Sequence, residues 1–210
     1  MNDVPYAFCD AVAAILSDLG PIKPCIKEAN SLKWTSWKAA FADHLSKRSK
    51  IRFAVNFAGG NWSCVIKEVN AAGTMNWIEL EDVQAMKRNY LHVDDLDFRS
   101  SVNLKPATFA KIVQILAFLC PFMNRAQLIF SKFGAKNREL KKLISMLYEG
   151  SFYSITIYQW RNEYDDFLHR QMKSKTLECI ADDGEFPKKL KGKVERFHRG
   201  IQLEAHGMSR

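Results

Sequence analysis

The chain has 210 residues, 47% hydrophobic and 26% charged, which excludes a mainly disordered polar chain and suits one compact domain or a small module joined to a larger one. Lys and Arg number 31 against 23 Asp and Glu, so the net charge of +8 favours acidic partners in general and specifies none. No run reaches the ~18–20 apolar residues of a spanning helix, and the richest, IVQILAFLCPF, is interrupted by Pro121, so no membrane association is expected.

The first element is VPYAFCDAVAAILSDL, positions 4 to 19. Asp3 suits an N-cap, Pro5 a first-turn position, and Gly20 a helix stop. Phe8, Val12, Ile15, Leu16 and Leu19 fall on one helical stripe, which must bury itself against something. Asp3 and Asp10, and the lack of a basic start, set the stretch apart from a signal peptide. A connector, GPIKPCIKEANS, leads to a second predicted helix over about 31–47, with Trp34, Trp37, Phe41 and Leu45 on one face.

At KIRFAVNFAGGNWSCVIKEV the period changes to two. Ile51, Phe53, Val55 and Phe57 alternate, as do Trp62, Cys64 and Ile66, and AGGN supplies the glycines of a tight turn, predicting an antiparallel hairpin of 51–57 with 62–68. The glycines lack the rest of a phosphate-binding loop.

From about 89 onward predicted strands (YLHVDDLDF, AQLIFSKF, YSITIYQW, TLECIADD) alternate with amphipathic helices. The helix stripes are Phe109, Ile112, Val113, Leu116, Leu119; Leu140, Leu143, Ile144, Leu147; Tyr164, Phe167, Leu168; and Leu190, Val194, Phe197. This alternation predicts an α/β fold with parallel strands. The spacing of the later strands falls in the range of leucine-rich repeats, and Phe152, Ile155 and Ile157 match the repeat pattern, so an irregular leucine-rich-repeat-like strand–helix solenoid is expected. A small doubly wound sheet is the rival.

Catalytic patterns are lacking, and no enzyme activity or cofactor is expected. The histidines His44, His92, His169, His198 and His206 form no metal-ligand spacing. His92, beside DDLD, reads as a strand residue with its polar side in solvent. Asp165 and Asp166 suit the first turn of a helix. The five scattered cysteines, Cys9, Cys25, Cys64, Cys120 and Cys179, read as buried, inert thiols of a reducing compartment, cytoplasmic or nuclear. The densest basic cluster, KKLKGKVERFHRG, places Lys188, Lys189, Lys191, Lys193 and Arg196 where an acidic or nucleic-acid partner would bind, although a solvated helix face has the same composition.

Taken in order, VPYAFCDAVAAILSDL, SWKAAFADHLSKR, DFLHRQMKSKTLECI and GEFPKKLKGKVERF resemble the nematode-expanded family of F-box and F-box-associated proteins. The resemblance implies an F-box-like helical module over 1–50 that binds a Skp-type adaptor of a cullin–RING ubiquitin ligase. A hairpin and connecting helix would follow over 51–88, and a substrate-binding repeat domain over 89–210. Val4 and Pro5 stand where an F-box has its Leu-Pro start; Phe8 and Val12 follow on its first helix, and Trp37 stands near its closing Trp. The connector departs from the usual middle helix and the acid after Leu-Pro is missing, so adaptor docking and capping of the first repeat are both open for the opening stretch. The unknown protein substrate would meet the concave strand face, with Tyr153, Tyr158 and Trp160 as aromatic anchors or as core filling.

Overall fold

The structure, a computed structural model, describes residues 5–18, 35–70, 73–87, 90–99, 104–174, 176–182 and 186–207. It is a mixed α/β fold. Helices α1 (Tyr6–Asp18) and α2 (Thr35–Lys47) come first, then strands β1 (Ser49–Ala58), β2 (Asn61–Val69) and β3 (Met75–Ile78), and helix α3 (Leu80–Ala85). Strands β4 (Leu91–Arg99) and β5 (Lys105–Pro106) follow, then α4 (Phe109–Leu119), β6 (Ala126–Ser131), α5 (Asn137–Leu147), β7 (Phe152–Ile157), α6 (Asp165–Gln171), β8 (Cys179–Asp182) and α7 (Lys188–Gly207). The chain forms two compact units, one of Met1–Arg52 with Ile66–His92, the other of Phe53–Val65 with Val93–Arg210.

In the first unit α1 packs on α2 through Cys9, Ala13, Ala40 and Phe41, with Trp37 against them. Three of the four are small, which lets two helix backbones approach closely. Of the predicted stripe, Phe8 is exposed and Val12 half-buried, while Cys9 and Ala13, one position further round, face α2. The side chains of Ile15 and Leu16, and all of Leu19 and Trp34, lie outside the described residues. β3 pairs antiparallel with the second half of β2, from Ile66 opposite Ile78 to Val69 opposite Met75. This short strand is absent from the sequence reading because MNWI carries too little alternation to register.

In the second unit the hairpin forms as predicted. Its two-residue turn has Gly59 and Gly60 both at positive φ, 59° and 83°, as a type I′ turn demands. Trp62 lies in an aromatic cluster with Phe57, Phe109 and Phe133, its ring centroid 4.7 to 5.7 Å from theirs, and its indole N–H donates to Glu139. Beyond the hairpin, β4, β6, β7 and β8 are parallel neighbours in chain order. The order never reverses, so these strands lack the switch point of a doubly wound sheet.

One set of alternating strand residues faces the helices: Leu96, Leu128, Ile155 and Ile180 stand in register, and Phe98, Phe130 and Ile157 form the next buried row. Phe130 meets Tyr164 at a tilt and Phe152 meets Phe167 edge-on, so α6 and the turn before it cover this side. The right-handed rule for parallel crossovers places successive helices on that same side. Of the predicted helix stripes, Leu140, Leu143, Ile144, Leu147, Tyr164, Phe167, Leu168, Leu190 and Val194 are buried. In α4, Ile115 takes the buried place expected of Val113. His92 is buried, correcting the solvent-facing expectation: Leu91, His92 and Val93 are all buried, so both faces of β4 are covered at its start. Cys179 likewise departs from the inert set and is exposed, since β8 ends the strand order.

Candidate interaction surfaces

The helix pair is held by hydrogen bonds as well as by packing. His44 is buried, and its Nε2 lies 2.9 Å from the Asp10 carbonyl oxygen and 3.0 Å from its carboxylate. Both partners are acceptors, so the proton resides on Nε2. The Tyr90 hydroxyl donates to the same carboxylate at 3.3 Å. On the outer side, the Tyr6 hydroxyl donates to Asp43, which Lys47 also approaches at 2.8 Å. The hydrogen bonds from Lys47 and then Tyr6 hold the Asp43 carboxyl below its ordinary range. The bond to Asp43 pushes the Tyr6 hydroxyl well above the tyrosine range.

These contacts fix α1 so that it presents an apolar edge. Phe8 is 56% exposed, touching Trp37 edge-on at 6.1 Å, and Trp37 in turn stacks on Phe41. Pro5 is exposed beside it; Val4 lies outside the described residues. Within the same unit Trp77 and Met75 are exposed on β3, with Lys67 over the Trp77 ring.

In the second unit the side of the parallel strands turned away from the helices carries three rows. Gln127, Ser154 and Cys179 stand in register with Asp95; Ile129, Thr156 and Ala181 with Asp97; Ser131 with Arg99. Tyr158 extends the last row beyond β7, its N–H donating to the Phe130 carbonyl. Of the aromatic anchors suggested by sequence, Tyr158 is therefore on this side and 42% exposed. Trp160 instead packs on Tyr164 and Phe186, at 6.0 and 5.2 Å, and fills the helix side. Tyr153 is the extra residue of a register shift between Ala126 and Gln127, and is half-buried. The signal that separates these rings is strand parity, which the sequence does not settle at a bulge.

On α7, Lys188, Lys189, Lys191 and Arg196 are exposed, whereas Lys193 turns in to donate to His169, whose Nδ1 faces the Asp165 carbonyl oxygen 2.9 Å away. His198 on the same helix accepts the Ile180 N–H of β8 at 3.2 Å. Burial pushes the Cys120 thiol up to about 11, and it donates to the Met146 carbonyl. Among the described residues no group of His, Cys, Asp or Glu is arranged to hold a metal ion, and no helix is long and apolar enough to cross a membrane. No protein-family model, curated protein or solved structure matches this chain.

Proposed function

We propose that the chain is a non-enzymatic protein-interaction module, a substrate-recognition adaptor of a cullin–RING ubiquitin ligase. In this reading α1 and α2 are an F-box-like pair that docks a Skp-type adaptor. The strand–helix segment from β4 onward is an irregular leucine-rich-repeat-like solenoid that captures a protein substrate, in the cytoplasm or nucleus. The observation that carries the reading is Phe8. A large apolar ring on the first helix stands in solvent beside Pro5, held by Trp37, while the helix pair closes its own core without it. The one-way parallel order of β4, β6, β7 and β8 supports the repeat reading.

The test pairs adaptor co-purification with a thermal melt. Phe8→Asp should abolish adaptor capture and move the melting temperature by no more than about 2 °C, since surface changes stay within about 0.5 kcal/mol. Ala13→Asp, which buries a charge in the helix interface, should lower both. Capture that survives Phe8→Asp removes Phe8 as the docking residue, and capture that wild type never shows removes the adaptor role. A second reading, an acidic or nucleic-acid partner on α7, draws on the four exposed cations there. Binding through them would weaken steeply with salt.

A further inference from the structure

We propose that the helix-free side of the parallel strands takes an extended acidic peptide segment, one carboxylate of which is held by the row Arg99, Ser131 and Tyr158. The proposal rests on reading that side as the substrate-capturing surface. The parallel registers build the row: Arg99 stands opposite Ser131, and Tyr158 follows Ile157, which stands opposite Phe130, the residue before Ser131. Neighbouring strands lie about 4.8 Å apart, so Arg99 and Tyr158 are roughly 10 Å apart with Ser131 between them. The Arg99 side chain is 49% exposed and Tyr158 is 42% exposed, and among the described residues the hydroxyls of Ser131 and Tyr158 engage no partner.

Chemistry selects the ligand. A guanidinium can only donate, and both hydroxyls can rotate to donate, so the row offers donors to an incoming acceptor. Arg99 shares one nitrogen with buried Asp97, leaving its other N–H groups at the surface. Lys132, the next residue after Ser131, is exposed. Arg99 and Lys132 against Asp97 leave a local charge of about one positive unit, which matches a single carboxylate better than a dianionic phosphate. One row deeper, half-buried Ile129, Thr156 and Ala181 stand in register with buried Asp97, whose carboxylate Arg99 already pairs. That row lies about 6.6 Å along the strands, the spacing of alternate residues in an extended chain. The favoured segment thus has Asp or Glu followed two positions later by a small aliphatic residue.

The experiment is fluorescence anisotropy on the full chain with a labelled Gly/Ser-rich decapeptide carrying one Asp and a Val two positions after it, its Asn-for-Asp counterpart, and a phosphoserine-for-Asp counterpart. The Asp peptide should bind at least about tenfold tighter than the Asn peptide. Tyr158→Phe and Ser131→Ala should each weaken the Asp peptide about threefold or more and leave the Asn peptide unchanged. Arg99→Gln alone strands the buried Asp97 charge, so the double variant Asp97→Asn, Arg99→Gln is measured, and it should lose the preference for Asp. Equal binding of Asp and Asn peptides, no binding of the Asp peptide, tenfold tighter binding of the phosphoserine peptide, or a preference that survives the double variant would overturn the proposal. Adaptor capture through Phe8, measured in parallel, separates the two readings: capture without acidic-peptide binding removes this inference alone.

Discussion

The hydroxyl of Tyr6 and the ammonium of Lys47 converge on one carboxylate, Asp43, from two different helices. Their titrations set the pH limits of the helix pair. Tyr6 has a raised folded-state value, so its contribution is complete below the unfolded value near 10 and is lost as pH rises through the folded one. Lys47 shifts in the same direction, held protonated by Asp43. Asp43 is lowered, so its contribution is complete above the unfolded value near 4 and fades as pH falls through the folded one. All three groups meet solvent, so the effects are small and screened by salt. Melts taken across pH should show Tyr6→Phe flattening part of the alkaline loss above pH 10 and part of the acid loss below about pH 4; parallel curves for wild type and variant would contradict the pairing. Little of this cluster was legible in advance: Tyr6 and Asp43 are 37 positions apart, and only helix packing brings them together.

At the level of elements, two glycine sites separate backbone from packing effects. Nothing stands within 4 Å of a Cβ added at Gly59 or Gly60, so substitution there is penalised by positive φ alone. Gly60→Val should destabilise by about 1 kcal/mol or more, and Gly60→Asn by less, in denaturant titrations. Gly150 is the opposite case. A Cβ there would lie 2.9 Å from the Phe152 ring, so Gly150→Ala should cost about 1–3 kcal/mol through overpacking. A neutral Gly150→Ala would show that the Phe152 ring yields. The hairpin and the α5 stripe were readable because a strict period of two or near four survives in a single stretch of sequence. The part of Cys9 and Ala13 was not legible, because they look weak beside Phe8 and Val12, yet close helix approach rewards small side chains.

For the whole molecule, both units are discontinuous in sequence, and the aromatic cluster of the larger one depends on Trp62 from the hairpin. A fragment of residues 89–210 lacks that ring and should melt well below the full chain, while Trp62→Ala in the full chain should cost about 3–5 kcal/mol. Equal stability of fragment and full chain would mean that Phe109 and Phe133 close the gap themselves. The parallel alternation was visible from residue 89 onward because buried strands and amphipathic helices differ in period. The side each strand residue faces was not, since one bulge at Tyr153 shifts the parity. The unbroken succession of β4, β6, β7 and β8 also bears on how such a chain can change over time. Each parallel strand bonds to the one before it, so duplicating an internal strand–helix unit rewires no existing partnership beyond its own insertion point. Length can therefore grow or shrink by whole units, widening or narrowing the array in steps of about 4.8 Å. Such growth stops at β8, where the His198 imidazole already occupies the Ile180 N–H that a ninth strand would need.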